Sequence, residues 1–414
     1  MNNLNPHQGV LLKKDDFVQV FDHLAESHGF LLAKVQIQNL PQINAQYGTD
    51  FGDVVIKTIT EVLLASHRRY ALGEISKALY AFICLHADDA YGLAGHLEQE
   101  LAVINHKGQF EFLIELSIGI VRVEPEREKH MQYWADLANL ALVVSSRTGK
   151  AVVYTPELTI QAKLRDILAR LRPESEPPEG MYWVFQKVNR TNTGKVTGYE
   201  TLVRWDVPGL GLVSPAEFIP LAEDLDVIHY LDRWTLMEVA KHRKQLVGSN
   251  GYQVSINVSA KTLEFDVDYL LLLESVIQNA TPDVPWLIVE LTETAIVENR
   301  EKLASKLQRL QSMGVQIAID DFGSGETNLA QVGQTPCDYL KIDGSLVRMK
   351  DRVQASSLLE ISMTMAKLLG ATALLEGIET QADFQLASTL GIPLVQGWYF
   401  GQPLTVEELY KQSN

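Results

Sequence analysis

From Met181 onward, apolar runs of strand length alternate with segments of helical period. The candidate strands are YWVFQKV, YETLVRW, YQVSINVS, WLIVELTE, VQIAIDD, DYLKID, ATALLEG and PLVQGWYF. Eight such runs with helices between them, spread over residues 181–414, constrain the second half of the chain to a (β/α)8 barrel of the TIM type. In that architecture chemistry gathers at the carboxyl ends of the strands. Here those ends carry Glu200, Asn257, Glu290, Asp320, Asp321, Lys341, Glu376 and Gln396. No packing rule asks for a polar group at one level of strand after strand, so the recurrence is a functional signal.

The stretch from residue 287 to 325 shows how such a mouth is made. Its first strand ends in Glu290 and Glu293. The following helix places Leu303, Leu307 and Leu310 on one face, with Lys, Arg and Gln on the other. Gly314 suits the left-handed stop of that helix, and the second strand ends in Asp320 and Asp321. Parallel strands joined by a helix bring their carboxyl ends to one edge. Four carboxylates are therefore expected together. Like charges that close repel unless a cation lies between them, which points to a divalent metal.

A chain of 414 residues with 46% apolar composition is long enough for two domains with sizeable cores. Its net charge of −16 argues against sequence-independent nucleic-acid binding and against an anionic membrane surface. Cys84 and Cys337 are the only cysteines, and both sit in or beside apolar runs. They read as reduced, buried thiols of a cytoplasmic protein. No secretory signal is evident at the N-terminus, and no apolar run approaches the ~20 residues that span a bilayer.

Residues 1–158 form a first unit in which helices and strands alternate with a hairpin, an α+β sandwich. Its helices are expected over Lys14–His28, within 41–66, over Tyr91–Ile104 and before Gly149. Its strands are GFLLAKVQIQNL, ALYAFICL, part of FEFLIELSIGIVRV, and AVVYT. Residues 159–180 read as a short helix followed by a Pro/Glu/Ser linker.

Carboxylates with one Asn are hard oxygen ligands that suit Mg²⁺ or Mn²⁺. Two such ions roughly 3.5–4 Å apart can clamp phosphoryl oxygens and activate a water. Adjacent Asp320 and Asp321 suit the shared corner of the pair. Lys341, the single cation of the set, suits a group that orients water or balances charge on phosphate. Arg204, two alternations beyond Glu200, suits a second phosphate. Each residue also has a plainer role. A strand-end carboxylate commonly caps a helix, Lys341 alone would be a surface lysine, Asn257 a helix cap, and Glu379 a charge at a helix start. Placement at one mouth favours the metal site, and residue types alone describe a metal-dependent phosphodiester hydrolase.

The second half also resembles the EAL family of cyclic di-GMP phosphodiesterases. GYETLVRW stands where that family has Glu-Ala-Leu, with Thr201 in place of the Ala. SINVSA, VELTE, AIDDFGSG, LKID, LLEGIET and QGWYFGQP follow in the family's order. The resemblance implies that Glu200, Asn257, Glu290, Asp320, Asp321 and Glu376 hold two Mg²⁺ or Mn²⁺ ions. It implies that Glu200, Lys341 and Glu376 are catalytic, with Lys341 holding a water. Gln186, Leu202, Arg204, Asp343 and Gln396 would bind substrate, and Glu293 and Glu379 would support a loop. The implied reaction opens cyclic di-GMP to linear pGpG, in a homodimer. One departure is FGSGETNL, where Glu326, Thr327 and Asn328 replace the family's Tyr-Ser-Ser. That loop helps couple the family's dimer interface to its metals, so a non-catalytic cyclic di-GMP receptor is the alternative. A smaller departure is FQKV at 185–188, where the family has Gln-Pro.

The first unit resembles, more distantly, the GGDEF family of diguanylate cyclases. LLAKVQIQNLPQINAQYGTDFGD follows that family's pattern, and Asn44 and Asp53 match its substrate-contact positions. The two metal-binding Asp positions hold Gln36 and Gln38. The signature falls at ALYAF, residues 78–82, with neither its glycines nor its acids. Uncharged amides bind Mg²⁺ poorly, and phosphate needs the close backbone approach that Gly allows. The expectation is a cyclase fold without cyclase activity, left to regulation, dimerisation or a further signalling partner.

Overall fold

The structure, a computed structural model, describes residues 10–26, 28–66, 68–85, 89–106, 112–125, 130–248, 250–278, 285–324 and 335–413; of residues 106, 293–302, 412 and 413 only the backbone is described. The chain divides into two compact units, Met1–Lys163 and Leu164–Asn414.

The first unit is a six-stranded sheet between two layers of helices. Its strands are β1 (Leu11–Lys13), β2 (Phe30–Ile37), β3 (Ala71–Ser76), β4 (Leu79–Cys84), β5 (Leu116–Val123) and β6 (Val152–Val153), in the order β1-β3-β4-β2-β5-β6. Period-two alternation sorts the central strand β2 between the layers. Leu31, Ala33, Val35 and Ile37 pack with Val55, Ile59, Leu93 and Leu97, from the helices Thr49–Ala65 and Ala90–His106. Phe30 and Leu32 pack with Phe17, Phe21 and Trp134, from the helices Lys14–Ala25 and Met131–Thr148. Gly149 ends the last of these in the left-handed conformation.

Strand β3 has no counterpart in the sequence reading, because Gly73, Glu74 and Ser76 interrupt its apolar run. It pairs antiparallel with β4, and the hairpin turns at Lys77 and Ala78. Ala78 sits at φ +68° and is buried. That conformation disfavours any residue with a Cβ by roughly 1–2 kcal/mol. Replacing Ala78 by Gly is therefore expected to stabilise this unit by about 1 kcal/mol, read as a higher urea midpoint with an unchanged slope.

The second unit is the expected barrel, with one strand reversed. Its strands are β7 (Met181–Arg190), β8 (Val196–Val207), β9 (Gly211–Val213), β10 (Gln253–Asn257), β11 (Leu287–Thr292), β12 (Gln316–Phe322), β13 (Tyr339–Ile342), β14 (Thr372–Leu375) and β15 (Leu394–Gln396). Strands β8 and β10 to β15 pair in parallel succession. Strand β7 closes the ring by pairing antiparallel with both β15 and β8. The reversal follows from the connection: residues 191–195, TNTGK, are too short for a parallel crossover, which takes a dozen residues or more. The short β9 extends β8 outside the ring.

Helices pack outside the ring through the residues their period nominates. Leu303, Leu307 and Leu310 are buried in the main core with Leu236 and Val239. The segment before the barrel is tied to this unit. The Trp234 indole donates to the Ser175 carbonyl at 3.3 Å, and the Trp205 indole to that of Glu179 at 3.1 Å.

Candidate functional site

The carboxyl ends of the barrel strands converge on one buried ammonium. Lys341, on β13, is 2% exposed. Its Nζ lies 2.7 Å from Glu290, 2.9 Å from Glu376, 3.0 Å from Asp320 and 3.3 Å from Glu200. The register explains the convergence: Glu200 pairs alongside Ser255, Glu290 beside Asn257, and Lys341 beside Leu374, two residues before Glu376. Gly377 lets the chain turn straight after Glu376. It adopts φ +65°, and a Cβ there would lie 2.9 Å from the Gly344 Cα.

Glu200 is the best-tethered acid. Its carboxylate accepts from Lys341, from Asn257 Nδ2 at 3.1 Å and from Gln396 Nε2. Burial alone would raise its pKa, but Lys341, Gln396 and Asn257 hold it below the usual range. The others are not so well balanced. Burial, then Glu200 and Asp320, push Glu290 well above the usual range despite Lys341. Glu376 is pushed up to about 8 by burial and by Asp320 and Glu200. Asp321 is pushed up to about 6, first by burial and then by Asp320. Lys341 is raised well above its ordinary value; burial works against this, and Asp320, Glu200, Glu290 and Glu376 outweigh it.

One ammonium thus faces four carboxylates, with Asp321 next to one of them, and the surplus negative charge is what a hard cation would neutralise. Oxygens of Glu200, Glu290 and Asp320 lie within 4.8 Å of one another, as do those of Asp320, Asp321 and Glu376. Asp320 belongs to both groups, while Asp321 belongs to one, so a shared corner would be Asp320 alone. Asp321 sits at φ +59°, with its N–H donating to the Asp320 carboxylate at 2.9 Å. The oxygen donors, with no His or Cys among them, fit Mg²⁺ or Mn²⁺.

The plainer roles fall elsewhere. Ser259, not Asn257, caps the helix Ala260–Phe265. Thr380 and Asp383, not Glu379, form the capping box of the helix Gln381–Thr389. Glu379 lies 3.8 Å from Arg348. Asp343 caps the short helix Gly344–Val347 through the Ser345 N–H at 2.8 Å. The Glu293 side chain and residues 325–328 of the altered loop lie outside the described residues.

Two cavities flank the carboxylates and meet at Leu202. One, of about 350 Å³, is lined by Gln186, Glu200, Asp320, Asp321, Glu376, Glu379, Gln396 and Trp398. The other, of about 290 Å³, is lined by Arg204, Pro215, Ile219, Glu223, Asn257 and Glu290. Trp398 is 59% exposed and was not anticipated; its place beside Gln396 in QGWYF is the signal that could have found it. Sequence also gives no sign of how β10 is held. The Ser259 N–H donates to Asp232, and its hydroxyl to Glu223 at 2.7 Å.

Asp232 is buried on the helix Ile228–Val247, and burial pushes its pKa up to about 7. The folded chain therefore holds this proton more tightly than the unfolded chain. Stability should fall as pH rises from about 4 to 7. Asp232→Asn keeps an acceptor for Ser259 and removes that loss. At pH 8 the variant should be more stable than the parent by up to about 4 kcal/mol, with the difference vanishing near pH 4 in chemical unfolding at the two pH values.

Comparison with known proteins matches both units. The EAL domain profile covers residues 178–403, and the diguanylate cyclase GGDEF domain profile covers 14–151. A cyclic di-GMP phosphodiesterase of Pseudomonas aeruginosa is 33% identical over 62% of this chain and 44% of its own length. The Escherichia coli phosphodiesterase PdeR is 28% identical over 91% of this chain and 58% of its own length. The Escherichia coli oxygen sensor DosP is 29% identical over 72% of this chain and 37% of its own length. The chain thus spans about half the length of these curated relatives. Among solved structures, the PaMucR phosphodiesterase in complex with c-di-GMP is 26% identical with a TM-score of 0.53, over 61% of this chain and 99% of that one. The Vibrio cholerae LapD S helix–GGDEF–EAL segment shares the fold over 94% of both chains, at 16% identity and a TM-score of 0.53.

Proposed function

The chain belongs to the EAL family and carries a GGDEF domain ahead of its EAL domain; from that premise we propose that it hydrolyses cyclic di-GMP to linear pGpG. The observation that carries this reading is the pair of cavities meeting at Leu202, with the carboxylates between them. A cyclic dinucleotide has two bases on either side of its phosphodiesters, and each cavity gives one base a place. Trp398 offers an exposed ring to one base, and Arg204, on the other side, an ionic partner to a phosphate.

Glu200, Asn257, Glu290 and Asp320 would hold one Mg²⁺ or Mn²⁺, and Asp320, Asp321 and Glu376 a second. When bound, such ions supply Lewis-acid polarisation of phosphate and a lowered pKa for water. The protein's own groups do the rest. Asn257 spends its Nδ2 on Glu200, which leaves its Oδ1 as a donor to metal. Lys341 orients a water and balances charge that develops on phosphate. Gln396 fixes the Glu200 carboxylate.

We assign the first unit a regulatory or dimerisation role in a homodimer, without cyclase activity. Gln36 and Gln38 turn toward each other, Nε2 to Oε1 at 3.4 Å. Residues 159–180 would be the spacer between the domains. The second reading, a cyclic di-GMP receptor that does not turn over, rests on FGSGETNL. Exchanging Mg²⁺ for Ca²⁺ tests the metal assignment. Ca²⁺ takes more ligands in looser geometry, so cyclic di-GMP should still bind while pGpG formation falls by at least about tenfold. Equal rates in both ions would refute the assignment. Binding in Mg²⁺ with no pGpG would favour the receptor.

A further inference from the structure

We propose that the first unit binds a small phosphate ester in a cavity between its two helices on the Leu32 face of the sheet. The cavity is about 420 Å³, and its polar lining is Lys14, Asp22, Lys34, His130 and Gln132. It lies within the first unit and shares no residue with the carboxylate mouth.

Its floor holds an unusual group. Lys34 projects from the middle of β2 and is 6% exposed. Its Nζ donates to Asn139 Oδ1 at 2.6 Å, and among the described residues no carboxylate lies within ion-pair distance of it. A buried ammonium with one neutral partner is costly unless an anion joins it. Burial lowers its pKa; Asp136 offsets part of this, and nearby Lys14 adds to it. Lys14 is exposed at the start of the helix Lys14–Ala25. The negative groups nearby are few. Asp22 lines the cavity, and Asp136, exposed on its helix, accepts from the Gln132 side chain at 2.7 Å.

The third wall adds donors. The 18-residue helix Met131–Thr148 begins here. Its N-cap, His130, makes no side-chain cap, and its first turn holds no acid. Met131 and Gln132 therefore bring N–H groups without a side-chain cap, and the positive end of a helix dipole, to the same cavity. Two lysines, a histidine and a helix start match the charge and the acceptors of a phosphate. Val18, Leu32, Ile75 and Ala81 give the body of an ester an apolar wall. The volume admits a molecule no larger than about a mononucleotide.

The test is calorimetric titration of the full-length chain in EDTA with glycerol 3-phosphate, inorganic phosphate and glycerol. EDTA leaves the barrel mouth a surplus of negative charge that repels anions. Binding of glycerol 3-phosphate, weaker binding of inorganic phosphate and none of glycerol is the expected order. Lys34→Met and Lys14→Gln should each weaken binding by about tenfold or more. Lys14→Gln alters an exposed side chain, so it tests the site even if Lys34→Met fails to fold. Absence of heat with both phosphates, or binding that both variants retain in full, would overturn the proposal.

Discussion

Replacing Lys341 by Met is expected to destabilise the metal-free barrel by roughly 3–5 kcal/mol. The side chain fits the space, but Glu200, Glu290, Asp320 and Glu376 would be left around a methyl group. Removing one partner of a buried ionic cluster costs far more than the cluster contributes as a whole, because the remaining charges stay buried and repel. A divalent cation bound by the same carboxylates replaces the missing charge, so added Mn²⁺ should restore part of the loss. It should also raise the variant's stability more than the parent's, since binding to the folded state alone stabilises it. Guanidinium unfolding with and without Mn²⁺ measures both. An unchanged midpoint in EDTA would mean that Lys341 does not balance these acids.

The second large effect is on rate. Glu200→Ala should lower cyclic di-GMP hydrolysis by about a thousandfold or more. Glu200 takes three donors, from Lys341, Asn257 and Gln396, so its loss releases Asn257 and Gln396, takes one of four acids from Lys341 and removes a proposed metal ligand. Gln396→Ala removes only one tether and should cost about 10–100-fold, the size typical of a group that orients a ligand. Cyclic di-GMP binding should survive in the Gln396 variant, because most of both cavities is untouched. Equal losses in the two variants would contradict the ranking.

The barrel was legible because its strands are apolar runs ended by turn residues, and because polar groups recur at one level. Reversal of β7 was not, since hairpin and crossover are told apart by the length of one loop that the strand pattern does not show. The gathering of Glu290, Asp320 and Asp321 followed from parallel pairing. Lys341 was read at the same mouth from its strand end, but its burial among them was not legible, because a lone lysine there has no sequence mark of burial. Repulsion among the acids was expected to need a metal; the protein meets part of that need with its own ammonium. In the first unit the alternation of β2 was readable, whereas β3 was hidden by Gly73, Glu74 and Ser76. The residues that hold β10, Asp232 and Glu223, are distant in sequence and are brought in by packing alone.

The most direct test is the fate of cyclic di-GMP with the purified full-length chain in Mg²⁺ or Mn²⁺, followed by chromatography. Linear pGpG should accumulate with the parent protein and disappear with EDTA or with Glu200→Ala. Cyclic di-GMP that binds yet remains intact with either ion would contradict the phosphodiesterase and leave a receptor in its place.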